Sequence, residues 1–190
     1  MKLSFVQRII PSLVLLCVAC GCASDDDGSS GTAGPTCTGT CECASDARCT
    51  CADDCQATCG AASCTLACDP GSKCNGSSND ALTVECDQGT ECKGNGGDGS
   101  RITCSGSAKC ELKSGTGSAA TCSNSSDCKL NLGEGSVVTC TDTSSCDVKC
   151  SGDCRVTCAS TATCVLSCGT TDAGIPGTVC PDGQLVCGAC

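Results

Sequence analysis

Cysteines and apolar residues recur at fixed intervals along most of this chain. Cysteine occurs every 18 residues in two interleaved series, one running from Cys68 to Cys158 and the other from Cys74 to Cys164. Five residues separate the two cysteines within each unit. A fixed period sustained over many units is typical of a repeat architecture, in which each unit buries its apolar face against its neighbours.

Apolar and polar residues alternate on both sides of each cysteine pair. Ile102 precedes Cys104 by two positions, and Leu112 follows Cys110 by two positions. Successive side chains of a β-strand point to opposite faces, so this spacing predicts two short strands per unit with cysteine and apolar residues on one face. The connecting segments are rich in Ser, Thr, Asp and Gly, which favour tight turns.

Two all-β architectures satisfy this pattern. One is a disulfide-rich β-solenoid with 18-residue coils, and the alternative is an antiparallel β-meander of Cys-closed hairpins. We favour the solenoid because it turns the cysteine face inward from both sides, whereas a single meander would leave that face in water. With coils stacked about 4.8 Å apart, roughly seven of them would make a rod ~35 Å long.

The composition requires a source of stability other than large side chains. The chain has 29 cysteines, one Phe and no Trp or Tyr, far fewer aromatic residues than an ordinary core uses. We therefore interpret each Cys-x5-Cys pair as a disulfide across its coil, contributing ~2–3 kcal/mol. Cysteines of neighbouring coils would also lie within bonding reach, so this connectivity is an inference. The pairs are Cys68–Cys74, Cys86–Cys92, Cys104–Cys110, Cys122–Cys128, Cys140–Cys146 and Cys158–Cys164.

The N-terminal segment, residues 1–21, has the pattern of a secretory signal peptide. Lys2 and Arg8 supply a basic region, and residues 9–19 supply a short apolar one. An exported chain meets an oxidising compartment, in which many cysteines indicate disulfides rather than metal sites.

The end of this segment resembles a bacterial lipoprotein signal, which places small residues before a cysteine that receives the lipid. Cys22, which follows Ala19-Cys20-Gly21, is the lipidation site that we favour, and Cys20 is the alternative. From Cys37 onward there are 29 − 3 = 26 cysteines, which can form 13 disulfides when Cys22 carries the lipid. The resemblance implies the cell envelope, at the outer membrane or cell surface; without the lipid the protein would be secreted.

The rest of the chain divides into three parts. Residues 22–36 are small and polar and are predicted to form a flexible tether. Residues 37–168 are predicted to form the Cys-rich repeat domain, and residues 169–190 a C-terminal disulfide cap, since the end of a stack has no further coil to cover it. Cys187 and Cys190 have the spacing of a redox motif, but they end the chain without a strand–helix context, so we interpret them as structural.

The sequence argues against several functions. There is no His, and the net charge is −10. We therefore expect no enzyme activity, no catalytic residue, no cofactor, no metal site and no nucleic-acid partner. The expected partner is the membrane, through the N-terminal lipid; a protein or glycan partner is not identified.

Two local patterns resemble known families without fitting them fully. The Cys-x-Cys pairs at Cys41 and Cys49 resemble those of metallothioneins, a family that is intracellular. The column Thr103, Thr121, Thr139 and Thr157, each beside a cysteine, resembles the Thr-Cys-Thr rows of insect antifreeze β-helices, but its second column is less regular. Threonine is common on any exposed strand, and this is the interpretation that we favour.

The functional hypothesis is a non-enzymatic structural or interaction protein at the cell surface or outside the cell, built as a rigid, disulfide-stapled rod with a lipid anchor. The alternatives are a binding module for an adhesive, carbohydrate or ion ligand and a metal-binding thiol protein.

Overall fold

The structure is a computed structural model that describes residues 36–43, 48–60, 63–170 and 174–190. All regular secondary structure in these ranges is β-strand. Within the same ranges no helix is long and apolar enough to cross a membrane. The predicted signal peptide, the lipidation candidates Cys20 and Cys22 and nearly all of the tether lie outside the described residues.

Fourteen strands form the body of the molecule. They are β1 (Thr36–Cys43), β2 (Arg48–Cys59), β3 (Cys64–Cys68), β4 (Lys73–Ser77), β5 (Leu82–Cys86), β6 (Glu91–Asn95), β7 (Arg101–Cys104), β8 (Lys109–Lys113), β9 (Ala119–Cys122), β10 (Asp127–Leu132), β11 (Val137–Cys140), β12 (Ser145–Cys150), β13 (Cys154–Cys158) and β14 (Thr163–Cys168). The long strand β2 pairs with both β3 and β4, and from β3 to β14 the strands alternate between the two faces.

The strands pair between coils, and the pairing is parallel. From β3 to β12, each strand pairs with the strand two places further along, and Cys68, Cys86, Cys104, Cys122, Cys140 and Cys158 are successive register partners. The predicted β-solenoid of about seven coils, each of about 18 residues, is therefore confirmed. The antiparallel meander is wrong, because the hydrogen bonds run between equivalent strands of neighbouring coils and not between consecutive strands.

The interior is filled by columns of small and medium side chains. The two cysteine columns lie beside columns of Leu, Val, Ile and Ala, and the apolar positions predicted to face inward are buried, with Ile102, Leu112 and Val138 all at 0% exposure. Each column repeats every 18 residues because every coil places the same position at the same point. The core is therefore continuous along the rod although no aromatic side chain contributes to it.

Tight turns join the two strands of each coil, and several use the left-handed region of backbone space. Gln88 and Gly89 have φ values of 46° and 78°, and Asn124 and Ser125 have φ values of 52° and 64°. Positive φ at two consecutive residues lets the chain reverse its direction within a few residues. Such turns bring the ends of two strands close enough for a disulfide to join them.

An antiparallel cap covers the C-terminal coil. It contains β15 (Ile175–Pro176), β16 (Thr178–Val179) and β17 (Leu185–Cys187), and β17 pairs antiparallel with β13. Cys187 bonds to Cys168, and Cys190 bonds to Cys180. Cys187 and Cys190 are therefore joined to different partners and not to each other, and each fixes the cap.

Candidate interaction surfaces

One edge of the solenoid carries a disulfide in every coil from β2 to β14, and we call it the disulfide edge. The structure joins all six pairs inferred from the spacing, with Cα–Cα distances from 6.2 to 6.6 Å. Cys51–Cys55 extends the series by one coil toward the N-terminus. The side chains of Cys37 and Cys41, which the count of 13 disulfides requires, lie outside the described part of the structure.

The opposite edge is built from Gly-x-Gly-Ser turns in the middle of the rod, and we call it the glycine edge. Its serines are buried and hold the turns by hydrogen bonds. Ser136 Oγ donates to the carbonyl of Gly133 (2.7 Å) and accepts from the backbone N–H of Ser118 (3.2 Å) in the preceding coil. Ser118 Oγ donates in the same way to Gly115 (3.0 Å). Each of these two serines closes its own turn, and Ser136 also joins its turn to that of the preceding coil.

A charged face is formed by the outward side chains of β4, β6, β8, β10 and β12. Neighbouring coils place opposite charges side by side, as in the pairs Glu91–Lys109 and Lys109–Asp127. The adjacent column alternates in the same way, with Lys93 Nζ lying 3.4 Å from Glu111 Oε2. The two columns are Lys73, Glu91, Lys109, Asp127 and Lys93, Glu111, Lys129, Asp147.

The alternating charges distinguish the correct order of the coils from an incorrect one. The two cysteine columns of the disulfide edge are the same in every coil from β3 to β14, so they would tolerate pairing in which one coil is skipped. Such a shift would place Lys73 beside Lys109 and Glu91 beside Asp127. Like charges on neighbouring strands are destabilising, and opposite charges contribute roughly 0.2–1 kcal/mol per pair. The charged face therefore specifies register where the cysteine columns do not.

A hydroxyl face lies on the opposite side of the solenoid, on β7, β9, β11 and β13. Thr103, Thr121, Thr139 and Thr157 are register partners, and their column is exposed or half-buried. A second column of Ser105, Ser123 and Thr141 follows the cysteines. Neither column carries a charge, so the hydroxyl face differs from the charged face in chemistry along the same stretch of rod.

Toward the N-terminus the hydroxyl face gives way to an open groove of about 1080 Å³. Arg48 crosses it and forms a salt bridge of 2.6 Å with Glu85, a hydrogen bond that raises the pKa of the guanidinium above its usual value. The lining also includes Asp87 and the two cysteines Cys68 and Cys86. The groove therefore brings solvent to two cysteines of the disulfide edge.

Three groups of cysteine sulfurs are close enough together to ligate one metal ion, because their Sγ atoms lie within 4.8 Å of one another. The groups are Cys51, Cys55 and Cys74; Cys68, Cys86 and Cys92; and Cys122, Cys128 and Cys146. Each contains one complete disulfide and one sulfur of the bridge in a neighbouring coil. Metal binding requires thiolates, so these groups could hold an ion only after reduction.

Some packing features were missed by reasoning from the sequence. Gly76 and Gly94 occupy inward positions that are Leu or Val in later coils, and a Cβ on Gly76 would lie 3.2 Å from Leu82. Leu82 in turn occupies the position of the buried serine Ser100. The sequence does contain a signal for this packing. Leu82 stands where the next coils have Ser, and Gly stands nearby where later coils have Leu or Val, so the total side-chain volume in the interior stays about constant.

The chain matches no protein-family model, no curated protein and no solved structure. The class of protein is therefore defined by the structure itself, which is a cysteine-rich β-solenoid with many disulfides.

Proposed function

We propose that the protein is a non-enzymatic structural or interaction protein: a rigid, disulfide-stapled rod that a lipid on Cys22, or alternatively Cys20, anchors at the outer membrane or cell surface. The observation that carries this proposal is the disulfide edge, where seven successive coils are each closed by their own bridge. A protein that must withstand conditions outside the cell benefits from covalent closure of every coil.

Rigidity follows from the way the coils are connected. Each inner strand forms parallel β-sheet hydrogen bonds with the equivalent strands of the coils before and after it. Bending the rod therefore requires breaking these hydrogen bonds on both faces at once. The disulfides limit the opening of any single coil because they shorten the chain that could unravel. These properties suit a spacer that holds a surface at a fixed distance from the membrane.

The lack of enzyme activity is part of the proposal, and the chemistry of the surfaces supports it. The sequence contains no His, the side chain most often used as a general base. The groove crossed by Arg48 is open, whereas most catalytic sites enclose their substrate. We also propose that the protein has no cofactor and no nucleic-acid partner, because it lacks His and carries a net charge of −10.

Metabolic labelling with an alkyne-bearing fatty acid tests the anchor. We expect cells expressing the full chain to yield a labelled protein in the membrane fraction, and Cys22→Ala to lose both the label and the membrane association. Cys20→Ala is the matched control and should retain them. A label that survives Cys22→Ala and disappears with Cys20→Ala would move the anchor to Cys20; an unlabelled wild-type protein would contradict a lipid anchor.

Protease treatment of intact cells tests the rod. We expect a broad-specificity protease to leave the repeat domain uncut, and to digest it once a membrane-impermeant reductant is added. Digestion without reductant would contradict a stapled rod. Resistance that persists in the presence of the impermeant reductant, but disappears when the cells are lysed, would contradict a location on the cell surface.

The hydroxyl face supports a second candidate function, a binding module. Its two uncharged columns present hydroxyl groups at regular intervals on strands held in fixed register. Immobilised cellulose, chitin and starch are suitable probes for a carbohydrate ligand. We expect Thr121→Lys with Thr139→Lys to abolish retention and Lys129→Thr, on the charged face, to leave it unchanged; equal retention of all variants, or none by the wild-type, would contradict this candidate.

A further inference from the structure

Disulfides of neighbouring coils lie in direct sulfur contact near the N-terminal end of the rod. Cys92 Sγ is 3.3 Å from Cys68 Sγ, although Cys92 is bonded to Cys86 and Cys68 is bonded to Cys74. At this distance the two sulfurs are close enough for thiol–disulfide exchange, in which a thiolate attacks a disulfide sulfur.

The next bridge continues the series. Cys74 Sγ lies within 4.8 Å of both Cys51 Sγ and Cys55 Sγ, which are bonded to each other. Each of these three bridges, in three successive coils, thus has a sulfur within 4.8 Å of a sulfur of the next bridge. All the cysteines concerned are buried, with Cys68 the most exposed at 8%.

We propose that these three bridges form an exchange path along which a thiolate moves between coils. A thiolate on Cys92 attacks Cys68; the Cys68–Cys92 bond forms, the Cys68–Cys74 bond breaks, and the electron pair leaves on Cys74. The Cys74 thiolate then attacks Cys51 or Cys55 and releases the other as the new thiolate. Each step forms one disulfide and breaks one, so no oxidant or reductant is consumed along the path.

The groove supplies the point of entry. Cys68 and Cys86 line it together with Arg48 and Glu85. A small neutral thiol that reaches Cys86 as its thiolate forms a mixed disulfide there, breaks Cys86–Cys92, and leaves the electron pair on Cys92, where the path begins. A carboxylate-bearing thiol is disfavoured because Glu85 and Asp87 lie in the lining.

The path changes what reduction does to the rod. Without exchange, reduction at the groove would leave one coil open. With exchange, the broken bridge is replaced by a bond between coils, Cys68–Cys92, and the free thiol moves toward the N-terminal coils. The rod thus responds to a reducing thiol by changing its disulfide pattern from within coils to between coils, while the stack stays covalently linked.

The chain contains an internal control. Cys104 and Cys110 form a bridge in the next coil, but among the described residues they belong to no group of three sulfurs within 4.8 Å. Exchange between coils should therefore start far less readily at this bridge than at Cys86–Cys92.

Two matched variants test the path. Cys86→Ser leaves Cys92 without its partner, and Cys104→Ser leaves Cys110 without its partner. The purified oxidised proteins are quenched in acid, alkylated and mapped by mass spectrometry. We expect Cys86→Ser to contain the Cys68–Cys92 bond, with most of the alkylation on Cys74, Cys51 or Cys55, and Cys104→Ser to be alkylated on Cys110. Alkylation of Cys92 alone in the first variant would overturn the proposal.

The wild-type protein gives a second measurement that does not depend on how the variants fold. One equivalent of a phosphine reductant opens a single bridge without forming a mixed disulfide, and acid quenching after increasing times is followed by the same mapping. We expect Cys68–Cys92 to appear and to increase with time. If bridges open but every remaining disulfide keeps its original partner, the exchange path does not exist.

Discussion

The two edges of the solenoid hold the chain by different means: the disulfide edge joins the two strands of one coil, and the glycine edge joins each coil to the next. At the disulfide edge every coil from β2 to β14 carries a bridge. At the glycine edge the middle coils rely on glycine turns and buried serines. Among the described residues, disulfides near the glycine edge occur only in the end coils, at Cys43–Cys49, Cys59–Cys64, Cys150–Cys154 and Cys168–Cys187.

The difference shows where a covalent bond is needed. An inner coil has a neighbour on each side, so one bridge together with two hydrogen-bonded ladders holds it in place. An end coil has a neighbour on one side only, and a second bridge replaces the missing contacts. The glycine edge can then pack its turns closely, since a Cβ on Gly133 would lie 2.6 Å from the backbone nitrogen of Thr116.

Removing one bridge from the disulfide edge should have the largest effect on stability. We expect Cys104→Ala with Cys110→Ala to lower the free energy of unfolding by about 2–3 kcal/mol, because the bridge limits the unfolded chain and its sulfurs fill the core. Denaturant unfolding measures the change. An unchanged stability would mean that the β-sheet hydrogen bonds between coils hold the inner coils without the disulfide, which would contradict the role given to the disulfide edge.

A single methyl group should disturb the glycine edge nearly as much. We expect Gly133→Ala to cost about 1–3 kcal/mol, because its Cβ would press against the backbone of Gly115 and Thr116 in the neighbouring coil, which cannot rotate away. Thermal unfolding measures the loss. Gly71→Ala is a contrasting control for space alone, since nothing lies within 4 Å of its Cβ position, although its φ of 78° adds backbone strain. Equal losses for the two variants would show that crowding is not the cause.

Removing a serine hydroxyl should have a smaller effect. We expect Ser118→Ala to cost about 1 kcal/mol, because the carbonyl of Gly115 loses its hydrogen bond from the buried hydroxyl of Ser118 and keeps only the one from the backbone N–H of Gly133. Amide hydrogen exchange should show faster opening of the turn at 115–117 than of the disulfide-edge turn in the same coil. Uniform protection of the two turns would contradict the role given to the serine.

Exchanging the charges of one coil should have the smallest effect, and salt should remove it. Lys109→Glu with Glu111→Lys keeps the net charge but places like charges beside Glu91, Asp127, Lys93 and Lys129. We expect a loss of about 1 kcal/mol at low ionic strength that largely disappears in 1 M salt. A loss that salt does not change would mean that packing, and not charge, distinguishes the register.

The sequence was sufficient to predict the coil and its length because the period was carried by buried residues. Cysteine, Val and Leu at fixed spacing identified the inward face, and Cys-x5-Cys placed the two cysteines at opposite ends of one turn. Fold class and the inner columns therefore followed from pattern alone, without any knowledge of pairing partners.

Other features depended on contacts between coils that the linear pattern does not display. The left-handed φ values at Asn124 and Ser125 arise from the turn geometry, and neither residue requires them. The charges of Lys109 and Glu111 alternate with those of the residues 18 positions before and after them. This alternation can be recognised only when residues 18 apart are known to lie side by side on neighbouring strands. The separate partners of Cys187 and Cys190 depend on the path of the cap, which has no repeat to constrain it.

Alkylation mapping of the natively produced protein tests the central claim most directly. The mature protein is denatured without reductant, treated with an alkylating agent, digested and analysed by mass spectrometry together with its metal content. The account predicts that the 24 cysteines in the 12 described disulfides, from Cys43 to Cys190, stay unmodified and that no metal copurifies. Extensive alkylation of these cysteines, or stoichiometric metal bound to them, would contradict the stapled rod and favour the metal-binding thiol protein.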